Sequence, residues 1–171
     1  MKILIVYATK TGSTLECAKM LKDALTPHTV TLCDASREDV SPDAYDKIVV
    51  GSYIRFGKGA KSVLSYLKKY EKQLENAKVS YFVCCAYADM ADTYLEELFG
   101  KERIKDAEHT ANFGGTLKVD RQKNFIMKLI VRAMRNDIIE NGESDDEAFC
   151  RALPELVPSE INKFADILSA R

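Results

Sequence analysis

Near the start of the chain, Thr9-Lys10-Thr11-Gly12-Ser13-Thr14 groups hydroxyl side chains around one glycine. A hydroxyl can donate a hydrogen bond to an anion, and a glycine lets the backbone approach a ligand with no Cβ in the way. Just before this loop, Ile3 to Ala8 is an almost continuous apolar run, which reads as a strand covered on both faces. Just after it, Cys17, Ala18, Leu21, Ala24 and Leu25 mark one face of a helix that Pro27 stops. A loop that leads from a buried strand into a helix aims unpaired N–H groups and the positive helix end outward, so this one suits a terminal monophosphate. The plainer reading is a helix cap with a polar turn; the loop's position after the first strand favours the anion site.

Competing chemistries each need residues that are missing. Neither G-x-G-x-x-G nor G-x-x-x-x-G-K-[ST] occurs, which sets aside dinucleotide and Walker-type phosphate loops. A phosphoacceptor receiver domain needs acids after strand one and an aspartate ending strand three, where this chain has Thr9 and Ser52. A small cysteine phosphatase would carry its nucleophile in the first loop, which has none. No Ser/His/Asp set can be assembled, and His28 and His109 lack partners at ligand spacing, so no metal is expected. The cysteines Cys17, Cys33, Cys84, Cys85 and Cys150 are odd in number and include no C-x-x-C pair, which argues against a disulfide framework and for a reducing cytoplasm. Adjacent Cys84 and Cys85 read as small apolar packing residues. A net charge of −1 with only local basic clustering argues against nucleic acid.

The rest of the chain alternates short apolar runs with helical periodicity, the pattern of a parallel sheet with helices on both faces. A second strand through Val30 and Leu32 ends at Asp34. A third, Lys47 to Ser52, is followed by the loop Tyr53 to Gly59 and a helix with Val63, Leu67, Tyr70 and Leu74 inward. Val79 to Ala86 is the fourth strand, Ala91 to Phe99 a helix ended by Gly100, and Thr110 to Leu117 the fifth strand. A final helix, with Ser159 as its cap, turns Ile161, Phe164, Ala165 and Leu168 inward. The pattern fits one domain over residues 1–171. Its N-terminal apolar run lacks a cleavage site and reads as a strand, and no run is long enough to span a bilayer.

The unusual feature is an insertion of about forty residues, roughly 118–157, where a connection of a handful is typical. Phe125, Ile126, Leu129, Ile130, Ala133 and Met134 give it a helix with an apolar stripe. Every charge in 121–135 is positive (Arg121, Lys123, Lys128, Arg132, Arg135), and Asn136 to Glu147 carries only acids. A basic amphipathic helix can engage anionic lipid and a quinone dissolved there. The more ordinary use of such a stripe is to cover the sheet edge or a second copy of the chain.

At these residues the chain resembles the flavodoxin family, whose fingerprint is a Thr/Ser-rich loop of this form. It is similar in particular to the menaquinone-dependent protoporphyrinogen IX dehydrogenase group within that fold. Three stretches carry the likeness: Tyr7 to Gly12, Gly51-Ser52-Tyr53-Ile54-Arg55-Phe56-Gly57, and Asn124-Phe125-Ile126-Met127-Lys128-Leu129-Ile130. The resemblance implies a doubly wound five-stranded sheet of order 2-1-3-4-5 and non-covalent FMN, with its phosphate on residues 9–14. It places the flavin ring between Ser52–Gly59 and Cys85–Asp89, with Ser52, Tyr53, Ile54, Arg55, Phe56, Gly57, Cys85, Ala86, Tyr87 and Ala88 as contacts. Tyr53, Phe56 and Tyr87 are candidate stackers, Tyr87 foremost because it directly follows strand four. Gly57 and Gly59 would let a backbone group turn towards the ring. Arg55, Lys58 and Lys61 would favour an anionic reduced flavin and hence two-electron transfer. The implied activity is oxidation of a porphyrinogen in heme biosynthesis, its propionates meeting Arg55, Lys58 or Arg121, with a quinone or redox protein as acceptor. An electron carrier between protein partners is the alternative from another class, and a domain that has lost its flavin is a third.

Overall fold

The structure, a computed structural model, describes residues 1–122, 124–140 and 155–170. Five parallel strands, β1 (Lys2–Ala8), β2 (Thr29–Asp34), β3 (Lys47–Tyr53), β4 (Val79–Cys84) and β5 (His109–Asn112), form one sheet of order β2-β1-β3-β4-β5. This is the doubly wound order expected from the sequence. β1, β3 and β4 are buried almost throughout, which is why they read as unbroken apolar runs.

Alternate side chains of each strand feed opposite layers. On one side Ile3, Ile5, Phe82 and Cys84 pack with α1 (Ser13–Ala24) and α7 (Pro158–Ser169). On the other, Leu4, Val6, Val50, Tyr81 and Val83 meet α2 (Lys61–Lys69), α3 (Glu71–Leu74) and α4 (Ala91–Phe99), with α5 (Lys101–Lys105) following. The winding therefore changes side between β1 and β3, and a crevice opens at their carboxyl ends.

Several local expectations shift. Strand five stops at Asn112, well short of Leu117, because Gly114 turns at φ 75° and the Asn112 side chain accepts from Gly114 N–H at 3.1 Å. The helix expected through Leu74 breaks at Tyr70 (φ −105°, ψ 23°), although Val63, Leu67, Tyr70 and Leu74 are all buried as read. Ser159 is not the cap of α7. Pro158 occupies the first helical turn, and Val157 is held by its N–H bond to Phe113 O at 3.0 Å. In the core, Phe113 stacks on Phe82 (4.5 Å between centroids) and meets Phe164 edge-on (5.2 Å), locking the end of β5 to the final helix.

The insertion contributes α6 (Phe125–Glu140). Its inward face is Met127, Val131 and Met134, of which Val131 is buried. The stripe read as a cover for the sheet edge does not serve that role: Phe125 (73%), Ile126 (63%), Leu129 (51%) and Ile130 (38%) are exposed. The reason is rotational, since the less exposed side of the helix is the i, i+4, i+7 set beginning at Met127, of which Val131 and Met134 face the cleft. The acidic residues 141–147 lie outside the described residues.

Candidate functional site

The crevice holds a hydroxyl-rich turn. Gly12, at φ 95°, sits at the N-cap of α1, and its N–H is held by Thr9 Oγ1 at 3.0 Å, which folds the loop back on itself. The first backbone bond of the helix runs from Glu16 N–H to Gly12 O (3.0 Å), leaving the N–H groups of Ser13, Thr14 and Leu15 ahead of the intrahelical ladder. No side chain caps this end. Ser13 Oγ lies 2.7 Å from Thr116 Oγ1, tying the loop to the segment after β5.

Thr14 is 1% exposed, and its hydroxyl has no hydrogen-bond partner among the described residues. A buried hydroxyl left unpaired costs roughly 1–3 kcal/mol. Its neighbour is the Cys84 thiol, which donates to Cys17 Sγ at 3.6 Å. That bond, and then burial, push Cys84 well above its usual pKa, and the Thr14 hydroxyl beside it acts in the opposite direction. An orphaned hydroxyl, a left-handed glycine and a helix N-terminus at one point are the donors an anionic phosphoester needs, so the residues fit a flavin phosphate.

Beside the turn opens a cleft of about 370 Å³. It is lined by Lys10 and Thr11 from the loop, by Tyr53, Ile54, Arg55, Phe56 and Gly57 after β3, and by Cys85, Ala86 and Tyr87 after β4. Ten of the sequence-expected site residues therefore line one space. Thr9, Gly12, Ser13 and Thr14 belong to the turn beside it rather than to its walls. Ser52 is fully buried, donating to Tyr53 O (3.0 Å) and accepting from Ala60 N–H (2.9 Å), so it braces the β3 loop. Ala88 starts a short turn and borders an adjoining groove with Asp92, Glu155 and Glu160.

The β3 loop is a tight reversal in which Arg55 and Lys58 exchange backbone bonds of 2.9 and 3.0 Å. Both central residues are left-handed, Gly57 at φ 69° and Phe56 at φ 51°. A bulky side chain at positive φ is costly, yet Phe56 is 58% exposed, so packing does not explain the strain. The Arg55 guanidinium lies 5.5 Å from the Phe56 ring centroid. Gly59 has a different part from Gly57: a Cβ there would stand 2.3 Å from Leu98, so it is a packing glycine.

The β4 loop is gripped from β5. Asn112 Oδ1 accepts from Cys85 N–H (3.1 Å) and its Nδ2 donates to Cys85 O (3.3 Å), while Gly115 comes close enough to Ala86 that a Cβ would be 2.7 Å from its nitrogen. Burial raises the Cys85 thiol, with its bond to Tyr87 O (3.3 Å) acting in the opposite direction. A protonated, bonded thiol braces the loop and is no nucleophile.

Sequence reading missed the other wall, formed by Tyr94, Thr116, Leu117, Gln122, Val131 and Met134. Gln122 is buried, accepts from Arg55 Nη2 at 3.0 Å and donates to Lys118 O at 3.1 Å. The cations expected at the ring edge separate: Arg55 lines the cleft, Lys58 is exposed across the turn, and Arg121 sits over the loop, its Nη1 3.2 Å from Thr11 O. Among the described residues no cluster of metal-ligating side chains occurs.

A phosphate-type turn at a β1/β3 switch point, with a flat cleft between the two following loops, defines the class of open α/β proteins that bind a phosphorylated planar ligand. The family model described as flavodoxin domain matches residues 4–146, and the chain belongs to that family. A flavodoxin from the domain Archaea shares 14% identity over 82% of this chain and 97% of its own, with a TM-score of 0.50. Oxidised flavodoxin 1 from Bacillus cereus shares 20% identity over 57% of this chain and 76% of its own (TM-score 0.44). A flavoprotein from Lactobacillus acidophilus NCFM, crystallised in complex with FMN, shares 16% over 65% and 92% (TM-score 0.46). No curated protein matches the chain.

Proposed function

We propose that this flavodoxin-family chain binds FMN and acts as an oxidoreductase similar to the menaquinone-dependent protoporphyrinogen IX dehydrogenases, passing electrons from a porphyrinogen-type substrate to a quinone. The observation that carries the enzyme reading over the carrier reading is the second wall. Leu117, Gln122, Val131 and Met134 line the cleft from the insertion side, so this chain's own residues flank the rim that a carrier would present to a protein partner.

Residues 9–14 would hold the phosphate, and the loops 53–57 and 85–87 the ring, with Tyr53, Phe56 and Tyr87 as aromatic contacts. The flavin supplies the redox chemistry. The chain's residues supply its surroundings: Arg55, fixed by Gln122, brings a positive charge to the cleft, and Val131 and Met134 of α6 make the facing wall apolar. A substrate carboxylate would pair with Arg55, since Lys58 and Arg121 stand elsewhere. The test is anaerobic oxidation of protoporphyrinogen with a menaquinone analogue as acceptor, read by porphyrin fluorescence. Turnover is expected; reduction by a ferredoxin reductase with no porphyrinogen turnover favours the carrier.

The exposed stripe of α6 supports contact with a membrane surface, at the inner face of the cell membrane if the chain is cytoplasmic. Phe125, Ile126, Leu129 and Ile130 offer the apolar face, and Lys128, Arg132 and Arg135 the charge for anionic headgroups. No helix among the described residues is long and apolar enough to cross a bilayer. Co-sedimentation with phosphatidylglycerol vesicles is expected at low salt and is lost at high salt. Protein that stays in the supernatant at low salt contradicts surface binding.

A further inference from the structure

We propose that Arg121 is itself a ligand of the flavin phosphate, so that the insertion closes the phosphate end of the site. This rests on the reading of the site as an FMN site. Three polar links carry the segment 116–122 across the loop: Thr116 Oγ1 to Ser13 Oγ (2.7 Å), Lys118 Nζ to Glu16 Oε2 (3.1 Å) and Arg121 Nη1 to Thr11 O (3.2 Å). The guanidinium is so close to the loop that a Cβ on Gly12 would stand 2.7 Å from Nη1. A side chain at that point would push this end of the arginine aside, and φ 95° independently favours glycine there.

Electrostatics favours the same reading. The turn's own hydroxyls and N–H groups are neutral, and two of its features work against an anion: the Thr11 carbonyl and the Glu16 carboxylate in the first turn of α1. Arg121 covers the first and Lys118 pairs with the second. The Thr11 bond uses one of the five N–H donors of the guanidinium, which leaves a fork suited to bidentate contact with phosphate oxygens. Arg121 is exposed, so the arginine contributes little to the core.

The test compares FMN with riboflavin, which has the same ring and no phosphate, by flavin fluorescence titration of the full chain and of Arg121→Gln and Arg121→Lys. Arg121→Gln is expected to weaken FMN by about tenfold to a hundredfold while moving riboflavin less than about twofold, with Arg121→Lys between. As a second readout, FMN affinity rises between about pH 5 and about pH 7 as the phosphate takes its second charge near 6, and this rise shrinks in Arg121→Gln. That readout decides the matter if riboflavin binds too weakly to measure. Unchanged FMN affinity, or equal loss for both flavins with an unaltered pH response, overturns the proposal and leaves FMN binding intact. Failure of the unmodified chain to take up FMN overturns both.

Discussion

Replacing Gly12 and Thr14 together by valine is expected to weaken FMN binding by about a hundredfold or more. The Gly12 change puts a β-branched side chain at φ 95° where the Arg121 guanidinium already sits. The Thr14 change removes the one buried hydroxyl of the turn that lacks a partner. The single Thr14→Val variant separates folding from binding, because the two move in opposite directions. Without ligand, an isosteric apolar group in place of an unpaired buried hydroxyl raises stability by roughly 1 kcal/mol. FMN affinity nevertheless falls. Urea titration of the ligand-free variant and fluorescence titration of FMN measure the two effects; lower ligand-free stability with unchanged affinity shows that Thr14 is a folding residue.

The second large effect belongs to Phe113→Ala. Phe113 is fully buried, stacked on Phe82 and edge-on to Phe164, and its carbonyl accepts from Val157. Emptying that place costs about 3–5 kcal/mol, a large share of the stability of a domain of this size. The damage also reaches the site, since Phe113 holds the turn through Gly114 and Gly115 that backs Ala86 and delivers Thr116 to Ser13. Saturating FMN at about a hundred times its Kd returns about 2.7 kcal/mol of apparent stability to the parent chain. In Phe113→Ala this gain is smaller at equal FMN, because affinity falls too. Urea midpoints with and without FMN check both parts; an equal gain in the two proteins separates the core from the site.

How much of this was legible depends on the range of the interaction that fixes each feature. The strands β1, β3 and β4 and the helix face of α1, apart from Ala24, which is exposed, were readable because burial on both sheet faces, or on one helix face, leaves a local apolar pattern. The turn at residues 9–14 was readable for a similar reason, since its donors lie within six consecutive residues. Gly100 marked the end of α4 correctly because a left-handed terminus is a local demand. The strand end at Asn112 went unread although its turn at Gly114 is local, because the amide that holds the turn also grips Cys85 from the neighbouring strand.

The insertion misled for a related reason. Its most apolar residues, Phe125, Ile126, Leu129 and Ile130, looked like a buried face, whereas tertiary position turns the Met127, Val131 and Met134 side inward. Hydrophobicity gives the width of a stripe; which side turns inward is set by tertiary contacts that the local pattern does not contain. Gln122 and Asn112 are single amides whose near bonds, to Lys118 O and Gly114 N–H, say nothing of the partners 67 and 27 residues away that set their parts in the site. By contrast, the arginine over Gly12 had a partial signal: the cluster of positive charges after β5 was visible, though its target was not.

The central claim is that the turn after β1 and the cleft beside it hold FMN. Titrating free FMN with the purified chain and following flavin fluorescence tests it most directly, because a ring stacked against Tyr53, Phe56 or Tyr87 loses emission. A saturable quench ending at one flavin per chain is the predicted result. Emission unchanged when folded protein is in excess over micromolar FMN contradicts it.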